Sequence, residues 1–559
     1  MEAMKILTAN EMRETDRATT EHHGVTRAEL MENAGAAVAR FALTHWPKAR
    51  RIVVICGRGN NGGDGFVAAR HLRQTGRQVS VMLLGEPGQL QGEAADNLAR
   101  LKTASIRITK DSDLEHREVS RPFSQADLFV DAVYGTGFHP PLDELSAAVK
   151  AKLDAMSHTP VLAVDLPSGW DADSREMHNA GAFRADAVVT FTAPKIAHAF
   201  GYLSAGPSVV APIGTPDEAI SESKLTWTGS SVSKFQAPRN RDGNKGQYGH
   251  VMVIGGSRGK AGAPSMASLA AMRVGAGLTT AAVAASILPT VARVAPELMT
   301  HELAETQEGE ITAANAAKAK LDALLHKITV LALGPGLGQS SGTQKFVHEV
   351  VANTTLPLVL DADGLNAFDS SHPGRDETAS RMGHPAPSVP RLNGGKRTLV
   401  LTPHPGEMAR LLGSTVKAVE ADREIIARRF ATEHDLILVL KGWRTLVAHP
   451  DGRVAVNTTG NPGMAKGGSG DVLTGLIAGM MAQAKQYGAT AGEAVEAAVF
   501  LHGLAADIAV AEGDEHTFLP TDLLRFLPNA FQFRASSSDA LCWLQGYPGA
   551  PSYERFHRS

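Results

Sequence analysis

Cysteine is almost missing from this chain. Its 559 residues contain two, Cys56 and Cys542. Two cysteines exclude a disulfide framework and a cysteine-built zinc site, and they suit a reducing compartment. Charge of one sign is also lacking: the net charge is −3, which gives a nucleic-acid role no electrostatic support. No secretory leader is expected, because residues 1–16 carry charges throughout and have no apolar centre. Long hydrophobic runs are scarce. The tempting one, 273–293, is rich in Ala, Gly and Thr and holds Pro289, so it reads as a buried helix and its loop.

What is present is globular. The chain is 43% hydrophobic and 20% charged, and it is too long for one ordinary core. Two large domains, or about three to four smaller ones, match the length. From residue 51 to about 216 strand and helix patterns alternate. Ile52-Val-Val-Ile-Cys56 is a continuous apolar run, as in a parallel strand buried on both faces. A helix is predicted over 66–74, and strands over 79–84, 128–131, 161–165 and 187–191. Such alternation predicts a layered α/β sheet.

The Ser-rich segment 217–240 interrupts this pattern and predicts a domain boundary. A second α/β series follows, with strands over 250–254, 329–333, 358–361, 398–401 and 436–440. A hairpin then turns through Pro450-Asp-Gly452, and helices are predicted after Gly470 and over 493–510. The segment 370–396 reads as a long surface loop and 535–559 as a poorly ordered tail. We therefore expect domains over 1–225 and 226–534, with a tail over 535–559.

Three glycine-rich turns follow strands in the first half. Gly57-Arg-Gly-Asn-Asn-Gly-Gly-Asp-Gly65 opens a helix, as pyrophosphate-binding turns do. Asn60, Asn61 and Asp64 add side-chain oxygens that a structural turn does not need. Asp131-Ala-Val-Tyr-Gly-Thr-Gly-Phe138 and Asp165-Leu-Pro-Ser-Gly169 sit at strand carboxyl ends, where open parallel sheets bind ligands. Asn61, Asp131 and Ser168 offer hard oxygen ligands for a monovalent cation.

The second half carries the richest motif, Thr459-Gly-Asn-Pro-Gly-Met-Ala-Lys-Gly-Gly-Ser-Gly-Asp471, just ahead of an apolar helical run. Glycines let backbone amides crowd onto an anion, and the helix starting near Ser469 aims its positive end at the same point. Asp471 stands where phosphate should bind. A carboxylate there needs a reason, and a base that takes a proton from a hydroxyl is the usual one. This is a phosphoryl-transfer pattern. Lys441 ends a buried strand and needs a partner, which a nucleotide phosphate supplies. His404, between two prolines, is rigidly placed after a strand. Asp361 and Asp363 either face a magnesium–phosphate unit or cap their turn. Lys466 either contacts phosphate or points outward.

Asn60-Asn-Gly-Gly-Asp-Gly65, Val130-Asp-Ala-Val-Tyr-Gly-Thr-Gly137 and Val164-Asp-Leu-Pro-Ser-Gly169 resemble the NAD(P)HX epimerase domain family. The second half resembles the ribokinase-like NAD(P)HX dehydratases. It does so through Asn244-Lys-Gly246, Val253-Ile-Gly-Gly-Ser257, Ala276-Gly-Leu278, Gly334-Pro-Gly-Leu-Gly338, Asp361-Ala-Asp-Gly-Leu-Asn366, Thr402-Pro-His-Pro-Gly-Glu407, Lys441-Gly442 and the phosphate loop. The resemblance implies two three-layer α/β/α domains, a Rossmann-like epimerase and a ribokinase-like dehydratase. It implies an epimerase substrate site at Asn60, Asn61, Gly62, Gly63, Asp64, Gly135, Thr136, Gly137, Phe138, His139, Pro140, Pro141 and Asp165. A potassium ion is implied on Asn61, Asp131 and Ser168.

For the dehydratase the resemblance implies substrate contacts at Ala263, Gly336, Gly338, His404 and Asp471. Its nucleotide contacts fall on Lys441, Gly442, Trp443, Arg444, Thr445 and Gly470. Asp165 and Asp471 are the candidate catalytic groups, with a purely binding role open for Asp165. The implied reaction is epimerisation of hydrated NADH and NADPH (NADHX and NADPHX), then dehydration of the S epimer. ADP, with ATP as the alternative, and magnesium would serve the second step. We expect a cytoplasmic homo-oligomer without nucleic-acid or membrane partners. The rivals are a small-molecule kinase, which leaves a stable phosphorylated product, and a non-catalytic scaffold, against which Asp131, Asp165 and Asp471 argue.

Overall fold

The structure is a computed structural model describing residues 3–101, 105–368, 397–534 and 541–546. The chain divides into two compact units. One holds Met4–Ser223 and a C-terminal strand, the other Lys224–Arg534. The predicted loop 370–396 lies outside the described residues.

The first unit is built on strands β1 (Arg51–Cys56), β2 (Gln78–Leu84), β3 (Ile106–Ile108), β4 (Leu128–Ala132), β5 (Val161–Val164), β6 (Ala187–Phe191) and β7 (Ser208–Ala211). Their spatial order is β7-β6-β5-β4-β1-β2-β3, all parallel. Central strands are apolar end to end because helices cover both faces. In β1 every residue after Arg51 is buried. The register sets Val54 beside Val81 on one side and Val130 on the other. The chain builds outward from β1 to β3, then crosses back to β4. The order therefore reverses between β1 and β4, which opens a crevice at the strand carboxyl ends.

The second unit uses β8 (Leu225–Trp227), β9 (His250–Ile254), β10 (Leu278–Ala284), β11 (Met299–Leu303), β12 (Val330–Leu333), β13 (Leu358–Leu360), β14 (Leu399–Leu401), β15 (Ile437–Leu440), β16 (Leu446–Ala448) and β17 (Val454–Val456). They form one sheet ordered β11-β10-β9-β12-β13-β14-β15-β16-β17-β8. Only β16 runs antiparallel to its neighbours, as the hairpin signal predicts. The helix Ala491–Glu512 has the length and apolarity of a membrane span. However, 89% of its apolar window is buried inside the unit, which makes it a core helix. Its Glu496 is fully buried and accepts from Ser231 Oγ at 2.6 Å, with His449 Nε2 2.8 Å away and Arg453 beside it.

Several expectations change. The run 273–293 is not a buried helix with a loop. It is the end of the helix Gly262–Val274, then β10, then short turns. Gly275 caps the helix at φ 120°, and Leu278-Thr-Thr280 with Val283 favours the extended chain. The glycine-rich stretch after β1 is a turn over 57–59 only and opens the expected helix early. The helix Asn60–Gln74 begins six residues before the predicted start, so Asn60 to Gly65 form its first turns. Close packing explains glycine there: a Cβ on Gly62 would fall 2.0 Å from the Gly57 carbonyl oxygen. The tail is not wholly irregular either. Strand β18 (Cys542–Gln545) pairs antiparallel with β7, extending the first sheet to eight strands, and Trp543 packs 6.3 Å from the Phe41 ring.

Candidate active sites

A cavity of about 810 Å³ opens at the carboxyl ends of the first sheet. Asn60, Asn61, Asp64, Gly135, Thr136, Gly137, Phe138 and Asp165 all line it, from three separate segments. Gly62 and Gly63 lie inside the helix instead, and His139, Pro140 and Pro141 are exposed and do not line the cavity.

Asp165 is the most constrained residue of this site. Its φ of 65° is left-handed, a conformation that costs a non-glycine residue free energy. Two hydrogen bonds hold it there. Its N–H donates to the Val189 carbonyl at 2.8 Å, and its own carbonyl accepts from His198 Nε2 at 2.7 Å. One carboxylate oxygen accepts from Lys195 Nζ and Thr190 Oγ1, each at 2.8 Å. The other accepts from Thr136 Oγ1 at 2.5 Å and Thr136 N at 3.0 Å. Burial is the largest influence on Asp165 and would raise its pKa, but the Lys195 charge together with the hydrogen bonds from Lys195 and Thr136 holds the carboxyl well below its usual range. His198 Nδ1 accepts from the Lys195 N–H at 3.1 Å, so its proton sits on Nε2. Burial and the Lys195 charge push its pKa down to about 4, which keeps it neutral.

Asp16, Glu21, Asp64 and Glu93 also line the cavity, and burial raises Asp16 and Asp64. Asp16 is pushed up to about 6, and Asp64 is raised with help from the Asp165 charge. A low-pKa carboxylate thus faces two carboxyls that hold protons more readily. That arrangement can pass a proton between groups. Asp16 and Lys195 were missed at the sequence level. Lys195 had a signal, a lysine just beyond the apolar strand β6. Asp16 had none, since its helix reads only as an amphipathic surface element.

Asp131 lies behind the cavity wall and is fully buried. Its carboxylate accepts from Ser168 Oγ at 2.6 Å, Ser168 N at 2.8 Å and Val133 N at 3.2 Å. No cationic side chain pairs with it among the described residues, and burial pushes it up to about 6. Asn61 Nδ2 is buried without a partner. A buried carboxylate without a cationic partner and a buried unsatisfied amide are the groups that a bound monovalent cation would serve.

In the second unit the helix Ser469–Gln483 starts after Gly468, whose φ of 100° turns the chain into it without a side-chain cap. The first-turn amides therefore face outward, ready for an anion. Against this turn stand Lys441 and Asp361. A Cβ on Gly470 would lie 3.4 Å from Lys441 Nζ and 3.7 Å from Asp361 Oδ2. Asp361 is buried, accepting from Lys441 Nζ at 2.9 Å and Thr474 Oγ1 at 2.7 Å. Burial opposes both charges, yet their attraction lowers the Asp361 pKa and raises that of Lys441. Asp471 differs. Burial, reinforced by the Asp361 charge, lifts it to about 6.

His404 caps the helix Pro405–Leu412, its Nδ1 accepting from Gly406 N at 3.0 Å and Glu407 N at 3.3 Å. The buried Glu407 lies 3.8 Å from Lys441 Nζ, so His404, Glu407, Lys441 and Asp361 form one connected set. Asp363 clamps a loop, and its charge also reaches the phosphate loop, where it helps to raise Asp471. It accepts from Gly338 N at 2.9 Å, Gln339 Nε2 at 3.1 Å and Lys260 Nζ at 3.1 Å. That clamp brings Gly336 beside Ala263, with 3.1 Å from the position of an added Cβ to the Ala263 Cβ.

Lys441 and Gly442 turn against Arg423, whose guanidinium donates to the Leu440 and Lys441 carbonyls at 3.3 Å. Thr445 Oγ1 donates to the Gly442 carbonyl at 3.1 Å. Arg444 is buried, stacked 4.4 Å from the Trp443 ring and bonded to the Thr458 carbonyl at 2.6 Å. Lys466 points away from the phosphate loop, to the carbonyls of His516 and Phe518. Thr474, Glu407 and Arg423 were not foreseen. Thr474 had a signal, since it stands one helical turn beyond Gly470.

One unit has a dinucleotide-type parallel sheet with a carboxyl-rich cavity, and the other a phosphoryl-transfer loop with an acid beside it. Together they define a two-domain α/β enzyme acting on nucleotides. Residues 27–197 match the family model described as YjeF-related protein N-terminus, and residues 251–529 that described as NAD(P)H-hydrate dehydratase. The bifunctional NAD(P)H-hydrate repair enzyme of Moorella thermoacetica is 38% identical over 543 residues, covering 94% of this chain and 96% of that one. The enzyme of the same name from Escherichia coli K12 is 33% identical over 535 residues, covering 93% and 92%. A solved ADP/ATP-dependent NAD(P)H-hydrate dehydratase of Bacillus subtilis, co-crystallised with ATP and magnesium, is 31% identical. It covers 55% of this chain and 96% of that one, with a TM-score of 0.44. The chain belongs to the bifunctional NAD(P)H-hydrate repair enzyme family.

Proposed function

We propose that the chain restores hydrated NADH and NADPH in two steps, one per unit. The first unit exchanges the R and S epimers. The second transfers a phosphoryl group from ADP to the ring hydroxyl of the S epimer and then releases phosphate. In that step the hydroxyl oxygen bonds to phosphorus as the bond to AMP breaks. Asp471 takes the hydroxyl proton. Phosphate then leaves with the carbon–oxygen electron pair, and loss of a ring proton restores the reduced nicotinamide. Hydroxide is a poor leaving group and phosphate a good one, which is why a nucleotide is needed.

The observation that carries this reading is the placement of Asp471, a carboxyl raised to about 6 on the first turn of a helix whose amides face outward. A base near neutrality is suited to the proton transfer. Lys441 stands against the same turn as a cation for the transferring group. Magnesium would arrive with the nucleotide. No cluster of three or more metal-binding side chains exists among the described residues; Asp361 stands at the phosphate loop bonded to Lys441 and Thr474, and Asp363 accepts from Gly338 N.

In the first unit Asp165, held ionised by Lys195, is the group that moves the proton as the ring hydroxyl leaves and returns. Asn60, Asn61 and the 135–138 loop surround the ring. A potassium ion on Asn61, Asp131 and Ser168 would supply the charge that the buried Asp131 lacks and fix the loops that carry these residues. The test is product analysis of S-NADHX incubated with ADP or with ATP. NADH, orthophosphate and the shortened nucleotide in equal amounts are expected, with ADP the better co-substrate. A stable phosphorylated NADHX would make the second unit a kinase.

A further inference from the structure

A second groove, of about 680 Å³, lies at the carboxyl ends of the first sheet on the other side of the strand-order reversal. Arg58 beyond β1, Glu86 beyond β2, Lys110 and Asp111 beyond β3, and Tyr134 beyond β4 wall it. The 810 Å³ cavity draws instead on the ends of β4, β5 and β6, through Thr136, Asp165 and Phe191. Arg58, Val133 and Tyr134 line both spaces, which therefore meet at the start of the helix Asn60–Gln74. That helix has Gly59 as its N-cap, with no side chain bonded to its first amides.

The strand order 3-2-1-4-5-6 is the one in which a dinucleotide lies across the reversal, with pyrophosphate at the helix start after β1. In that arrangement the half over β4 to β6 holds the reacting ring, and the half over β1 to β3 holds the other nucleoside. An acid just beyond β2 then takes the ribose hydroxyls. Glu86 occupies that position, two residues past the end of β2.

We infer that the second groove holds the adenosine half of the dinucleotide and that Glu86 makes the epimerase favour NADHX over NADPHX. The inference rests on the epimerase reading of the first unit. Charge gives the direction. Two cations, Arg58 and Lys110, line this groove with four carboxylates, Glu86, Asp111, Asp143 and Glu144. Glu86 accepts from Arg107 Nη1 at 2.8 Å, but the pair is open to solvent, with 50% of the Glu86 side chain exposed. A carboxylate here accepts ribose hydroxyls and repels a phosphate ester on the same ribose. For a half-exposed pair of like charges the effect is about five- to tenfold.

The experiment follows exchange of purified R epimers by chromatography, without added nucleotide, above the spontaneous rate. Wild-type protein should give a kcat/KM for NADHX about five- to tenfold above that for NADPHX. Glu86→Ala and Glu86→Gln should bring the ratio close to one, by raising NADPHX turnover in particular. In wild type, 5′-AMP should inhibit exchange more strongly than 2′,5′-ADP, and in Glu86→Ala the two should converge. The exposed position lets both variants fold, and a denaturant melt of the first unit that matches wild type confirms it. Wild-type exchange of neither substrate would overturn the epimerase reading itself. Exchange of both with a ratio that Glu86→Ala leaves unmoved, or a wild-type preference for NADPHX, would overturn the adenosine placement and leave the epimerase reading standing.

Discussion

Lys195 and Asp165 form a buried ion pair at 2.8 Å, with 2% of the Lys195 side chain and 9% of the Asp165 side chain exposed. Each charge needs the other, because an isolated ion at this depth is costly. The pair keeps the carboxylate ionised in a cavity where burial raises Asp16 and Asp64.

Removing the cation alone should therefore do more damage than removing both charges. Lys195→Met should cost the first unit about 3–5 kcal/mol and abolish epimerisation. The double variant Lys195→Met/Asp165→Asn should recover stability but no activity. Denaturant melts and R-to-S exchange measure the two effects. The depressed Asp165 pKa contributes stability that is present above the unfolded carboxyl pKa and fades as pH falls through that value towards the folded one. Wild type should lose that contribution below about pH 4, and the double variant should not show it.

Asp131 tests the cation. Asp131→Asn keeps the shape and removes the only formal charge among Asn61, Asp131 and Ser168. Epimerisation should fall when potassium is replaced by tetramethylammonium in wild type. It should be low and insensitive to potassium in the variant. Dehydration should be unchanged in both. Wild-type exchange rates that do not respond to the monovalent cation would remove it from the account.

Lys441 stands beside Asp361 at the phosphate loop, and it tests whether the second unit handles a phosphoryl group. Lys441→Met should leave Asp361 uncompensated and raise its pKa. It should weaken nucleotide binding and lower dehydration together. Calorimetric titration with ADP reads the first and NADH formation the second. Unaltered affinity would make Lys441 a structural partner of Asp361 only.

Asp471 gives a pH test. Its pKa is raised to about 6, so the base form dominates above that value. Dehydration kcat/KM should fall about tenfold per pH unit below it. Asp471→Asn should lower turnover by about a hundredfold to ten-thousandfold and remove this acidic limb, while epimerisation is unaffected. Near wild-type turnover would mean that Asp471 is only a helix-start residue.

The sequence made the α/β alternation legible where strands are buried on both faces, as in Ile52 to Cys56. It did not show β3, β7, β8, β11 or β18, which have three to five residues each and too little length for a pattern. β10 was misread because Ala, Gly and Thr fit helix and strand alike. The glycine turns, Asp165, Lys441 and Asp471 stood out because their residue types are expensive where they sit. Asp16, Glu86 and Thr474 did not, since an acid on a surface helix, an acid in a turn and a threonine in a helix are all unremarkable until the fold brings them to a site. The clamp that Asp363 makes was not legible, because its partner, the Gly338 amide, lies 25 residues away.

The most direct test of the whole account is incubation of an equal mixture of R- and S-NADHX with the intact chain and ADP, following reduced-nicotinamide absorbance. The account predicts conversion of both epimers to NADH in one rapid course, with one orthophosphate released per NADH. In Asp165→Asn the course should become biphasic: half fast, half at the spontaneous exchange rate. A fast phase that stops at half in the intact chain, or full consumption without any gain of NADH absorbance, would contradict it.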